Sequence, residues 1–356
     1  MNQADCGERH RKHTLQRGKG PRRHAAEFMG VTEEPMQTTF LGIEIGGTKL
    51  QIVRGDNSAS ITERKRFSVD RNQGGTGIRE LITTKLDEWV RAARPAAMGV
   101  GFGGPVDWRT GQICCSHQIE GWTDFPLRDW LQGLVRMPVA VDNDANTATL
   151  GEALHGAGMG LNPVFYVTLG SGVGGGLVVD GKIYHGARPG ESEIGHVRLD
   201  REGSIVESRC SGWAVDARIR ELKKTQPQSA LARLAARAAG GEARWLTPAL
   251  AEGDAAAQRL LGETAQDLAF GLSHVVHLFH PAVIVLGGGL SLIGEPWRAA
   301  VEQALRGFTM EAFAPGPQIR LAALREDAVP VGALELAKRA LVSRQEQSLP
   351  PSFPAG

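Results

Sequence analysis

Cysteine is scarce in this chain. Cys6, Cys114, Cys115 and Cys210 are the four among 356 residues, and they have neither the spacing of a disulfide framework nor that of a zinc ribbon. A reducing cytoplasm is the simplest setting for such usage. A dominant charge is also missing: the formal net charge is +1, so the total points to neither nucleic acid nor a membrane surface. No apolar run reaches the length of a transmembrane helix, and no hydrophobic segment follows the basic start. Neither a membrane span nor a secretory signal is therefore expected. The basic residues near the start (Arg9, Arg11, Lys12, Arg17, Lys19, Arg22 and Arg23) have no aromatic residues between them, and no helix-turn-helix pattern precedes the first strand. No nucleic-acid partner is expected.

What is present suits a globular protein. Apolar residues make up 42% and charged residues 22% of a chain long enough for two domains and a sizeable core. Residues 1–38 are polar and basic and read as a disordered tail, with Met29 and Met36 as alternative starts. Apolar runs at 40–45 and 50–53 read as two strands joined by the tight turn Gly46-Gly47-Thr48-Lys49. Ile78, Leu81, Ile82, Leu86, Trp89 and Val90 recur at helical spacing. A buried strand at 97–102 runs into Gly103-Gly104-Pro105, and a second half opens with a strand at 164–169 that turns through the glycines of 170–176. A long helix over 254–279 leads to a strand at 283–286, a strand near 319–324 and a helix over 331–342. Residues 231–237 read as an Ala-rich amphipathic helix, a scaffold or oligomer surface. Strands alternating with helices indicate an α/β protein, and the strand–Gly-rich turn–strand unit occurs once in each half. The expected division is a small lobe over 39–154, to which the closing helix at 331–343 returns, a large lobe over 155–330, and a frayed tail over 344–356.

Chemistry concentrates at Val-Asp-Asn-Asp-Ala-Asn, residues 141–146. A strand that breaks into these groups at a helix start sets carboxylates and amides at the carboxyl edge of a sheet, where open α/β sheets bind ligands. On this stretch alone Asp144 reads more readily as a helix N-cap, and the motifs elsewhere in the chain turn the balance toward a site residue. The turns at 46–49 and 170–176 suit phosphate binding, because glycine lets backbone N–H groups approach anionic oxygens and Thr48, Ser171 and Lys49 add donors. Both lead into strands, so neither is a P-loop nor a dinucleotide fingerprint. Gly287 and Gly288 follow a buried strand, where a purine lies against bare backbone or the chain merely turns.

Together these segments resemble one family, the ROK proteins (repressors, open reading frames and sugar kinases). The similarity runs through Gly-Ile-Glu-Ile-Gly-Gly-Thr-Lys at 42–49, Gly-Phe-Gly-Gly-Pro-Val-Asp at 101–107, Gly121-Trp122, 141–146, Gly151-Glu152, 168–176, Glu-Ile-Gly-His at 193–196 and 283–289. It implies a two-lobed actin/hexokinase/Hsp70-like (ribonuclease H-like) ATPase fold, α/β with a central cleft. It implies an ATP-dependent kinase of a hexose or amino sugar, with Asp144 as general base. Gly103, Gly104, Asn143, Glu193, His196 and Glu207 would then bind sugar. Glu44, Gly46, Gly47, Thr48, Lys49, Gly170, Ser171, Gly172, Gly174, Gly287 and Gly288 would hold the nucleotide. ATP and Mg²⁺ are the implied cofactors, with Mg²⁺ held through phosphate and water. A small-molecule sugar is the implied partner, and a homodimer the implied assembly.

The sequence departs from the family's pattern at three places. Glu44 stands where the family uses Asp in the first phosphate motif, Ser171 where Thr is usual, and His196 is followed by no cysteine-rich loop. Structural zinc takes four ligands and this segment offers one, so no zinc is expected. A non-catalytic or weakly catalytic sugar- or nucleotide-binding regulator is the alternative reading, since the family includes repressors. The sugar itself, and ATP against polyphosphate as donor, stay open at this level.

Overall fold

The computed structural model describes residues 38–47, 49–116, 119–190 and 192–348. The basic tail, Cys6, Thr48 and the last eight residues lie outside the described residues. Ten helices and twelve strands are described. The strand β1 (Phe40–Ile45) is apolar almost throughout and turns back antiparallel on β2 (Lys49–Gly55), the turn being closed by the Gly46 N–H donating to the Lys49 carbonyl at 3.0 Å. The next strand, β3 (Ile61–Ser68), continues the meander. None of its eight residues is fully buried and four in a row are charged, so the sequence carries no strand signal there. The helix α1 (Gly74–Ala93) buries Ile78, Ile82, Leu86 and Trp89 along one stripe and returns the chain to β4 (Ala97–Phe102), parallel to β1.

A two-stranded ladder, β5 (Val106–Asp107) with β6 (Gln112–Ile113), and the short helix α2 (Leu127–Val135) lead to β7 (Val139–Asn143), parallel to β4. The first sheet is thus ordered β3-β2-β1-β4-β7. After α3 (Asp144–His155), β8 (Val164–Leu169) and β9 (Val173–Val179) form a second hairpin, continued by β10 (Lys182–Ile183). Helices α4 (Val206–Cys210), α5 (Gly212–Thr225), α6 (Ala230–Leu234), α7 (Leu246–Ala251) and the 25-residue α8 (Ala255–Phe279) come before β11 (Val283–Gly287). Then α9 (Glu295–Arg306), β12 (Gln318–Leu321) and α10 (Ala328–Ser348) close the chain. The second sheet runs β10-β9-β8-β11-β12, the same antiparallel-then-parallel pattern as the first.

Several boundaries differ from the expectation. The strand expected at 319–324 ends at Leu321 because the N–H groups of Ala323 and Leu324 donate to the buried Glu152 carboxylate (3.1 and 2.8 Å) instead of to a ladder. The helix expected at 231–237 stops at Leu234, where Lys223 draws the Ala235 and Ala238 carbonyls to its ammonium (3.3 and 3.0 Å). Its Leu231 and Ala235 lie wholly inside the core. The turn read over 170–176 is shorter, because β9 already begins at Val173.

Helix α10 packs across β1, β4 and α3. Its crossing with α3 is a backbone contact made by two glycines facing opposite ways. A Cβ on Gly332 would fall on the Thr147 carbonyl oxygen, and one on Gly151 on the Ala328 carbonyl oxygen. Backbone cannot yield as a side-chain tip does, so Gly332→Ala is expected to cost at least about 2 kcal/mol, read as a lowered denaturation midpoint. A control within α8, Gly262→Ala, where an added Cβ meets nothing within 4 Å, is expected to cost nothing and to gain up to about 1 kcal/mol of helix propensity.

Candidate active site

The carboxyl ends of β1, β4 and β7 converge, and the loops that leave them carry the residues of interest. The decisive local detail is which residue caps α3. Asn143, in extended conformation, accepts the N–H groups of Ala145 and Asn146 on its side-chain oxygen at 2.8 and 3.2 Å. The capping reading of Asp144 is thereby corrected: Asn143 satisfies the free helix N–H groups, and Asp144 occupies the first turn. The Asn143 amide also donates to the Gly104 carbonyl (3.2 Å), tying the cap to the loop after β4.

Asp144 is half-buried and faces a cleft of about 640 Å³ lined also by Glu44, Lys49, Thr168, Gly288 and Gly289. Desolvation pushes its carboxyl up to about 7, and the negative charges of Glu44 and, less strongly, Glu193 add to the rise against two backbone N–H groups that pull it down. A carboxyl poised near neutrality at the mouth of a cleft suits proton transfer. Glu44 is held from two sides. Lys49 Nζ lies 3.2 Å from one carboxylate oxygen, and the Gln51 amide donates to the other.

The two glycine turns are held by different contacts. At the first, the Gly103 N–H donates to the Ile45 carbonyl (2.9 Å), and a Cβ on Gly103 would lie 3.5 Å from the Asp144 carboxylate and 3.6 Å from the Gly46 Cα. Gly103 thus sits beside Asp144 and Gly46, while the Gly47 carbonyl accepts from Arg71 (3.0 Å) and the Gly104 carbonyl from Asn143. At the second, Gly170, Ser171 and Gly172 form the β8–β9 turn, the Gly212 N–H donates to the Gly170 carbonyl (2.7 Å), and Gly174 lies in β9 against Ala145. Gly287 ends β11 against the Tyr166 ring, and Gly288, at φ +76°, crosses the Leu169 backbone.

Three expected sugar ligands come from the second half. Glu193 and His196 are exposed, on either side of the 3-10 turn Ile194–His196. Glu193 is near enough for its charge to act on Asp144. Glu207 is half-buried against the β8–β9 turn, where its carboxylate accepts the Val173 N–H at 2.8 Å. Among the described residues no group of three or more His, Cys, Asp or Glu side chains is arranged to hold a metal ion. Cys210 is a core residue whose thiol burial pushes up to about 12, and its sulfur lies 3.7 Å from the Thr264 carbonyl. Glu44, which lines the cleft beside Lys49 and Asp144, is the kind of carboxylate that would order the water shell of a magnesium ion without a closed cage.

Sequence reasoning missed a buried support beneath the site. Asp142 accepts the Asn143 N–H (2.8 Å) and the Asn146 amide (3.0 Å), and pairs with His185 Nε2 at 2.6 Å. His185 stacks on Trp108, their rings 4.2 Å apart. Asp142 and Asn146 lay inside the motif, but nothing in the pattern linked them to His185, 43 residues on.

The family model for ROK proteins matches residues 40–340. The chain belongs to the ROK family. This ROK chain is 30% identical to a glucokinase of Halalkalibacterium halodurans over 324 residues, 87% of this chain and 96% of that one. A ROK glucokinase from Streptomyces griseus, solved with glucose and AMPPNP, superposes with a TM-score of 0.74 at 28% identity, covering 85% of this chain and 99% of that one. A ROK hexokinase from Thermus thermophilus gives 0.71 at 29% identity, over 86% and 100%. The fold is the actin-like ATPase fold of these kinases. A xylose repressor of Caldicellulosiruptor bescii is also similar, 21% identical over 84% of this chain and 77% of its own length. Among the described residues no helix is long and apolar enough to cross a membrane.

Proposed function

We propose that this ROK protein is a sugar kinase that transfers the γ-phosphoryl group of ATP to a hydroxyl of a hexose or amino sugar. The observation that carries the reading is Asp144: it is freed from capping by Asn143, held near neutrality, and set where the cleft meets the loop after β4. In this reading a sugar hydroxyl lies against Asp144, oriented by Asn143, Glu193, His196 and Glu207 and by the backbone of Gly103 and Gly104. As the hydroxyl oxygen bonds to the γ-phosphorus, Asp144 takes its proton, the bond to the bridging oxygen breaks and ADP leaves.

The nucleotide would lie along Gly46, Gly47, Lys49 and the turn at Gly170, Ser171 and Gly172, with Gly174 at its foot and the adenosine near Gly287 and Gly288. Glu44 would order the water of a magnesium ion, which when bound with ATP would supply neutralisation of phosphate charge. A two-lobed arrangement, small lobe 39–154 and large lobe 155–330, would close on both substrates. A homodimer and a cytoplasmic location belong to the same proposal, on the family resemblance.

A regulator reading is favoured by the xylose repressors among the relatives. The test is ADP release from purified protein with Mg-ATP across a panel of hexoses and N-acetylhexosamines. Turnover with one sugar class is the expected result. No turnover with any of them, together with calorimetric sugar binding, would move the assignment to the regulator.

A further inference from the structure

Glu44, Gln51 and Arg66 stand directly opposite one another on β1, β2 and β3. Side chains in one such row share a face of the sheet and touch. Gln51 is completely buried, although Leu50, Ile52 and Val53 around it are apolar and equally buried. A buried amide is costly unless its donors and acceptor are used. Gln51 spends its amide N–H on the Glu44 carboxylate, and its oxygen receives Arg66 Nε at 3.4 Å. The far end of Arg66 pairs with Glu326 at 3.0 Å, on a segment that also lines the cleft. With Lys49 on the other Glu44 oxygen, each carboxylate oxygen of Glu44 has its own donor.

This arrangement does more than fill space. A leucine would pack a buried position on β2 without the desolvation cost of an amide, so the amide's use lies in what it holds. Glu44 projects into the cleft on a side chain with three rotatable bonds, and a carboxylate that orders water about a cation must stay in one orientation. We propose that Gln51 is a positioning residue of the phosphoryl-transfer centre, locking the Glu44 carboxylate toward the hydrated magnesium of the bound nucleotide. The inference rests on the nucleotide-binding part of the proposed function and adds Gln51, with Arg66 behind it, to the residues that serve it.

The experiment compares the calorimetric affinity of AMPPNP with and without Mg²⁺ for the unchanged protein, Gln51→Leu, Glu44→Gln and the double variant. Gln51→Met is a second variant of similar shape that also removes the amide, should leucine impair folding. Gln51→Leu is expected to weaken Mg-AMPPNP by about 10–100-fold, as loss of outer-shell partners does, and to leave metal-free AMPPNP unchanged. In the Glu44→Gln background it is expected to add nothing, because the two residues act as one unit. Equal losses with and without Mg²⁺, or additive losses in the double variant, would make Gln51 a residue of the core alone and overturn the proposal. AMPPNP binding that ignores Mg²⁺ in the unchanged protein would also overturn it. No AMPPNP binding at all would instead overturn the proposed function.

Discussion

Asp144→Asn is expected to remove most of the turnover and to stabilise the unliganded protein at the same time. The catalytic loss follows from its role as base: proton transfer to a placed side chain is worth about 10²–10⁴-fold in kcat, and an amide cannot accept the proton. Sugar binding is expected to stay within a few-fold by calorimetry, because Asn143, Glu193 and the loop after β4 are untouched. The stability gain follows from the raised carboxyl, pushed up from 3.8 to about 7. The folded state therefore holds its proton more tightly than the unfolded chain, and ionised Asp144 opposes folding. That penalty is absent below about pH 4, grows through the window between the two values, and is complete above about pH 7. At 1.36 kcal/mol per pKa unit it amounts to up to about 4 kcal/mol at pH 8. Denaturant titrations of both proteins at pH 8 and pH 4 read it directly: the variant gains at pH 8 and not at pH 4. Equal stability at both values, with kcat unchanged, would show that Asp144 is neither strained nor the base.

The second large effect is on the pH dependence of catalysis. A base near 7 gives an acid limb in kcat/KM, which falls about tenfold per pH unit below that value. Desolvation is the largest cause of the rise and the charge of Glu44 the next. Glu44→Gln removes the second cause and keeps the first. The limb is expected to move to lower pH and to stop above the ordinary carboxylate range. The same variant is expected to lower kcat at the plateau by about 10–100-fold, since it loses a carboxylate that orders the water of the metal. A limb that stays in place would separate Glu44 from the base electrostatically, and would assign the rise of Asp144 to burial and Glu193.

The apolar strands of both halves and the order of their motifs were legible because their signals are local. The runs at 40–45, 97–102 and 164–169 are largely apolar, and each is followed by glycine, so strand and turn both show in the pattern. The long α8 was legible from its N-cap Asp254 through its apolar period. Less was legible where a distant group decided the local structure. The loss of the last turn of strand at 322–324 comes from Glu152, some 170 residues away. Strand β3 carries charge on both faces, Glu63 and Lys65 on one and Arg64 and Arg66 on the other, and so carries little apolar signal.

The amino-acid sequence by itself determined the α/β class, the repeated hairpin unit, the family and the motif that carries Asp144. These follow from residue types at short spacing, which local physics reads in the same way in any context. Tertiary structure alone decided that Asn143 and not Asp144 caps α3, and that burial beside Glu44 lifts the Asp144 carboxyl. It also decided that Asp142 is held by His185, and that Glu44 is held by an amide from the neighbouring strand. Capping geometry, desolvation and charge–charge proximity depend on distances across the fold, and those distances exist only once the sheet is assembled.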